Sequence, residues 1–76
     1  MNAIEVEVIS QHYIGTIRIE PVKKNPSLFY IHLDQGYLGR AQAFKNHGQI
    51  MWYSHEITDK ELLTQIGEWI EYSFPV

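Results

Sequence analysis

Residues 57–74 read ITDKELLTQIGEWIEYSF, and the apolar residues of this stretch recur every three or four positions. That spacing puts them on one face of an α-helix. The apolar face comprises Leu62, Leu63, Ile66, Trp69, Ile70 and then Ser73 or Phe74. We therefore predict an amphipathic helix from about residue 59 to about residue 72. Gly67 lies at the margin of this face, and we expect it to mark a close approach of the helix to the sheet.

The start of this helix has its own sequence signal. Thr58 is followed three residues later by Glu61, which matches a capping box in which each side chain accepts a hydrogen bond from an unpaired backbone N–H. Ile57 and Leu62 occupy the positions of a hydrophobic staple. We therefore predict that Thr58 caps the helix.

Upstream of the helix, apolar and polar residues alternate, which is typical of β-strands with one buried face. The alternation and the intervening turn residues predict five short strands, over residues 4–9, 13–20, 28–34, 37–45 and 49–53. Pro21 is predicted to end the second strand, and residues 23–27 to form a polar loop. The strand residues predicted for the core are Ile4, Val6, Val8, Ile17, Ile19, Phe29, Ile31, Leu33, Ile50 and Trp52.

The expected fold class is α+β. We predict an antiparallel β-meander of four to five strands with one C-terminal amphipathic helix packed on one face of the sheet. The other face of the sheet is left uncovered. With 76 residues, 45% of them hydrophobic, the chain is expected to form a single small domain over residues 1–76.

The composition excludes several classes of protein. Cysteine is absent, so neither a disulfide nor a zinc–thiolate site is expected. The first residues lack the basic start and apolar run of a signal peptide, and no apolar stretch approaches the ~20 residues of a membrane span. We therefore expect a cytoplasmic protein that does not associate with membranes.

Residues with catalytic or metal-binding chemistry show no pattern that points to a site. The four histidines lack the spacing of metal ligands, and no serine lies in a nucleophile elbow. Glu68 and Glu71 are paired carboxylates on the predicted helix, but they lie on its solvated face. We expect no catalytic residue, no metal and no cofactor, and predict that the protein is not an enzyme.

The uncovered sheet face is the candidate interaction face. Its predicted residues are Ile14, Leu28, Tyr30, His32, Met51, Tyr53, Arg18 and Arg40. Aromatic residues and methionine are enriched at protein interfaces. The sequence therefore predicts a non-enzymatic protein-interaction or binding module, whose partner is an unknown protein or a second copy of the chain.

The alternative is a domain that binds single-stranded nucleic acid, since aromatic residues among basic ones can stack bases beside phosphates. Several antiparallel strands followed by one helix also resemble the repeat of PUR-type nucleic-acid-binding proteins, a likeness of architecture that carries over no residues. Such domains usually have a basic surface. Here residues 1–55 carry a net charge of +1 and residues 56–72 a net charge of −4, from five acids and one lysine. A small enzyme or ligand-binding domain is the third hypothesis.

Overall fold

The computed structural model describes residues 2–34 and 36–74 and confirms the α+β meander. Five antiparallel strands form one sheet in the order β1-β2-β3-β4-β5, and a single helix follows them among the described residues. The elements are β1 (Ile4–Ile9), β2 (Ile14–Val22), β3 (Asn25–Leu33), β4 (Gly36–Asn46), β5 (Gln49–Tyr53) and α1 (Lys60–Ser73). No helix in the described ranges is long and apolar enough to cross a membrane.

The connection between β2 and β3 is shorter than predicted. Strand β2 continues through Pro21, and the predicted polar loop shrinks to a turn at Lys23 and Lys24. Pro21 is tolerated because β1 begins at Ile4, opposite Ile19, so that no strand of the described residues pairs with β2 on that side beyond Ile19. The register between β2 and β3 shifts after Pro21, which places a bulge at this end of the sheet.

The capping box predicted at Thr58 is wrong, because Asp59 caps the helix instead. Asp59 Oδ1 accepts hydrogen bonds from the backbone N–H groups of Glu61 (3.1 Å) and Leu62 (3.2 Å). The helix begins one residue later than a Thr58 cap would require, at Lys60. Threonine and aspartate are both good N-cap residues, so N-cap preference alone does not distinguish Thr58 from Asp59.

The start of α1 is also fastened to the turn between β1 and β2. The Ser10 hydroxyl, almost fully buried, donates to Asp59 Oδ2 at 2.8 Å. Glu61, the other half of the predicted box, accepts from the backbone N–H of Gln11 at 2.7 Å. The local sequence pattern predicts that Asp59 and Glu61 act only within the helix. In the structure both also bond to the turn between β1 and β2.

The buried core lies between α1 and one face of the sheet. It comprises Val6, Val8, Ile17, Ile19, Phe29, Ile31, Ala41, Ile57, Leu62, Ile66, Ile70 and Phe74. The half-buried residues that pack against it are Ile4, Tyr13, Leu33, Leu38, Trp52 and Leu63. All strand residues predicted for the core except Ile50 belong to these two sets. Trp69 on the helix remains 37% exposed, because it lies over the edge of the sheet.

Gly67 confirms the expected close approach of the helix to the sheet. It is buried, and a β-carbon at this position would overlap the indole ring of Trp52. The Trp52 ring also packs near Phe29, with ring centroids 5.9 Å apart, so the core limits its movement. Gly67 therefore lets α1 lie directly on Trp52.

Replacing Gly67 by alanine separates packing from helix propensity. Propensity alone predicts that Gly67→Ala stabilises the protein by up to ~1 kcal/mol. We expect instead a loss of about 1–3 kcal/mol in the free energy of unfolding, because the methyl group must displace Trp52. Urea denaturation followed by tryptophan fluorescence measures this change. Thr64→Ala, at an exposed position of the same helix, is the control, and a more stable Gly67→Ala variant would contradict the packing.

The helix cap gives a prediction that depends on pH. The hydrogen bond from the Ser10 hydroxyl is the main cause that lowers the pKa of Asp59. The hydrogen bond from the backbone N–H of Leu62 is the next largest cause that lowers it. A carboxyl whose pKa is lowered by folding contributes stability above its unfolded pKa of about 3.9, and this contribution is lost as the pH falls through the folded value. Asp59→Ala should therefore lower the urea midpoint at pH 7, and its difference from wild type should shrink below about pH 4.

Thr58→Ala is the matched comparison for the cap. We expect it to change the free energy of unfolding by no more than about 0.5 kcal/mol at pH 7, as is usual for an exposed position outside a cap. Equal losses of stability in the two variants would mean that Asp59 is not the cap.

Candidate functional site

All eight residues of the predicted interaction face lie on the sheet face that points away from α1. In β2, for example, Ile17 and Ile19 are buried beneath the helix, so Arg18 between them points to the opposite side. The strand register aligns Arg18 with His32 and Tyr30 with Arg40. The full set is Ile14, Arg18, Leu28, Tyr30, His32, Arg40, Met51 and Tyr53. We call this surface the outer face.

The register does not bring these eight residues into one apolar patch. Ile14 lies opposite Ile9 beside the β1–β2 turn, and both are largely exposed (74% and 67%). Met51 lies opposite Phe44 in the β4–β5 hairpin, where they are 42% and 48% exposed. Since β1 and β5 are the outer strands, the two apolar pairs occupy diagonally opposite corners of the outer face. Polar and charged residues separate them.

The centre of the outer face is an aromatic cluster among paired charges. The Tyr37 ring lies edge-on to Tyr30 and His32, with ring centroids 6.0 and 5.7 Å away. His32 Nε2 lies 3.1 Å from Glu20 Oε1. Burial, followed by the charge of the nearby Glu56, raises the pKa of the Tyr37 hydroxyl. The Tyr30, His32 and Tyr37 rings thus form one cluster with edge-on contacts.

Both arginines of the outer face have acids beside them. Arg18 lies opposite Glu5 in the register, and Arg40 Nη2 lies 3.6 Å from Glu56 Oε2. The backbone N–H of Arg40 also donates to Glu56 (3.1 Å) and is the main cause that lowers the pKa of this carboxyl. The acids reduce the positive potential that these arginines would otherwise offer to an anion.

Tyr37 and Phe44 are outer-face residues that the sequence reasoning missed. Strict alternation along β4 puts Tyr37 on the same side as Gly39 and Ala41, which lie beneath α1. The register between β3 and β4 shifts after Ile31, so that Leu38 is the additional residue and Tyr37 pairs with His32. A bulge depends on the partner strand, and the alternation within β4 contains no signal for it.

Side chains of α1 cover the part of the β1 sheet edge at Glu7 and Ile9. The Gln65 side-chain amide bonds to both backbone groups of Ile9, accepting from its N–H at 2.8 Å and donating to its C=O. The indole N–H of Trp69 donates to the C=O of Glu7 at 3.1 Å. Glu61, one turn before Gln65, accepts from the chain just beyond β1. Helix side chains at four-residue spacing thus satisfy backbone groups that would otherwise face solvent.

The opposite edge, formed by β5, is open. A two-residue turn with positive φ at His47 (54°) and Gly48 (80°) closes the β4–β5 hairpin. Hydrogen-bonded and non-hydrogen-bonded pairs alternate from such a turn, so Ile50 and Trp52 direct their backbone N–H and C=O away from β4. Over residues 2–34 and 36–74, no hydrogen bond reaches these outward-facing groups.

A groove of about 620 Å³ lies between this open edge and α1. Its apolar wall is formed mainly by Ile50, Trp52 and Leu63, and charged side chains line its rim at Lys60, Glu68 and Glu71. Glu71 Oε2 accepts from the indole N–H of Trp52 at 2.8 Å, which fixes the tryptophan ring in the wall. A groove of this size is within the range of ligand-binding clefts, about 300–1,000 Å³.

The serine, histidine and aspartate near the start of α1 do not form a nucleophile with a base. Ser10 donates directly to Asp59 and accepts from the backbone N–H groups of His12 and Tyr13, so its hydroxyl is fully used in holding the turn. Within the described parts of the chain, no cluster of three histidine, aspartate or glutamate residues has the geometry of a metal site. The outer face and the open β5 edge are the sheet surfaces that α1 leaves uncovered.

Comparison of the chain with protein-family models, with curated proteins and with solved structures gave no match. The outer face, the two sheet edges and the groove are therefore the features of the molecule that bear on its function.

The covered β1 edge gives a direct prediction. Gln65→Leu removes both hydrogen bonds to Ile9, and we expect it to lower the free energy of unfolding by about 1–3 kcal/mol. Hydrogen exchange at the Ile9 amide should become faster than in the wild type. Gln42→Leu, the same change at an exposed outer-face position, is the control. Unchanged exchange at Ile9 would show that Gln65 does not protect this edge.

Proposed function

We propose that the protein is a non-enzymatic protein-interaction module that takes an extended segment of a partner protein as a sixth strand beside β5. The observation that carries the proposal is the difference between the two sheet edges. Side chains of α1 bond to three outward-facing backbone groups of β1, at Ile9 and Glu7, whereas among the described residues no hydrogen bond reaches those of Ile50 and Trp52 in β5. An uncovered edge strand is a template for pairing with another chain.

Apolar surface flanks β5 on both sides, which supports binding of a strand at this edge. On the outer face, Phe44, Met51 and Tyr53 are all exposed. On the α1 side, the groove presents Ile50, Trp52 and Leu63. Because successive side chains of a strand point to opposite faces, an added strand would contact both surfaces. Its main chain would supply hydrogen bonds and its side chains would supply selectivity.

Charge favours a different protein over a second copy as the partner. Pairing β5 with β5 of another copy would bring two helix segments together, each with a net charge of −4 over residues 56–72. Like charges across an interface oppose association. A partner segment that is less acidic avoids this repulsion.

Binding of single-stranded nucleic acid is the second candidate, and the aromatic cluster of the outer face favours it. Tyr30, His32 and Tyr37 offer ring surfaces between Arg18 and Arg40. The acids beside both arginines and the net charge of −3 weigh against phosphate binding. The strand-addition proposal needs no such positive surface.

A selection from random 12-residue peptides displayed on phage tests the proposal, with Ile50→Pro and Ile50→Ala as a matched pair. Proline removes the outward-facing N–H of Ile50, which β4 does not use, whereas alanine keeps it. We expect selected peptides to shift the NMR signals of the Ile50 and Trp52 amides. Ile50→Pro should weaken binding about tenfold or more, and Ile50→Ala much less. Urea midpoints of both variants verify that they are folded.

Three results would contradict the proposal. Peptides that shift Tyr30 and Arg40 but not β5 would place the site on the outer face. A dimer detected by light scattering at tens of micromolar, and dissociated by Ile14→Asp, would instead indicate self-association through that face. Binding of a fluorescent oligonucleotide at physiological salt, weakening steeply as salt rises, would favour the nucleic-acid alternative.

A further inference from the structure

We infer that the groove between β5 and α1 selects a partner strand with two apolar side chains separated by one residue and with a lysine or arginine beside Glu68 and Glu71. The inference rests on the proposed addition of a strand to β5, and it names the chemistry of that strand. The probe it predicts is a short extended peptide, apolar and basic. An acidic peptide should be rejected.

The apolar positions follow from the strand register. Residues that lie opposite each other in neighbouring strands point to the same face of the sheet. The side chains of Ile50 and Trp52 lie on the α1 side, and the backbone groups of these same two residues face the open edge. In an antiparallel partner strand, the residues that bond to them lie directly opposite and therefore also point to the α1 side, into the groove beside Leu63. Main-chain pairing and side-chain selection thus involve the same two partner residues.

The residue between these two positions has a different environment. It lies opposite Met51 and points to the outer face, where Phe44 and Tyr53 are neighbours. This surface is open to solvent on one side, so it accepts apolar and polar side chains alike. The groove positions are more selective, because a polar group there would lose water without gaining a partner. The expected pattern is apolar, any residue, apolar.

The charge preference comes from the rim of the groove. Glu68 is exposed, and Glu71 is held at the rim by the indole N–H of Trp52. Lys60, the only base at the rim among the described residues, is separated from Glu71 by three turns of helix, about 16 Å. The Glu68–Glu71 end is therefore acidic. A basic side chain there gains up to about fivefold in affinity from each exposed ion pair, and an acidic one is repelled.

The experiment repeats the phage selection with a pair of charge variants. Glu68→Lys reverses a charge on the rim of the groove, and Glu7→Lys makes the same change of net charge on the exposed outer side of β1. We expect wild type and Glu7→Lys to select the same apolar peptides with a lysine or arginine two residues beyond the apolar pair, on the same side of the strand. Glu68→Lys should lose that preference. In the best wild-type peptide, exchanging the basic residue for glutamate should weaken binding about tenfold, and less at 0.5 M salt.

A second measurement separates failure of this inference from failure of the proposed function. N-methylation of the peptide residue that bonds to Ile50 should abolish binding if the peptide is an added strand. Peptides that are sensitive to N-methylation but show no preference for a basic residue would overturn the charge inference and leave strand addition standing. Peptides that are insensitive to N-methylation and do not shift the Ile50 and Trp52 amides would overturn both.

Discussion

Every backbone N–H and C=O at a sheet edge needs a partner, and one helix cannot supply partners at both edges of this sheet. The outer strands of a five-stranded sheet lie about 19 Å apart, whereas a helix with its side chains is about 10 Å wide. Here α1 lies close enough to β1 for Gln65 and Trp69 to reach the backbone of that strand. The open groove beside β5 is the geometric consequence.

The rotation of α1 about its axis determines which part of the structure each row of its side chains contacts. Leu62, Ile66 and Ile70 face the core. The row that includes Gln65 and Trp69 covers β1, and the row that includes Lys60 and Glu68 faces the groove. Two contacts fix this rotation: the Ser10–Asp59 hydrogen bond at the start of the helix and the packing of Gly67 on Trp52 further along. Propensity alone would not place a glycine at a buried helix position.

Local patterns in the sequence predict the fold because each element carries its own period. The two-residue period places all eight candidate residues on one sheet face, and the helical period identifies Gly67 as a close-approach point. The two apolar corners of that face depend on the register of several strands, which no single strand encodes. The position of Tyr37 depends on a bulge opposite β3. The cap at Asp59 depends on Ser10, which is distant in the sequence.

The difference between the sheet edges also cannot be predicted from the sequence. In the sequence, Gln65 resembles any polar surface residue of a helix. Only the fold places it beside Ile9, 56 positions away. Helical spacing shows that residues 61, 65 and 69 share a side of α1, but it contains no information on which strand that side meets. The difference is visible only in the fold, where side chains of α1 bond to β1 at Glu7 and Ile9 and no described residue bonds to the outward-facing groups of Ile50 and Trp52.

An open edge also exposes a protein to uncontrolled pairing with copies of itself, and edge strands commonly carry lysine or proline to prevent it. Strand β5, QIMWY, contains neither. Instead, Glu68 and Glu71 of α1 place negative charge beside this strand. Because every copy carries the same acidic segment, repulsion disfavours pairing between copies, while a basic strand is attracted. In the proposed interaction, one set of charges thus both protects the edge and selects its partner.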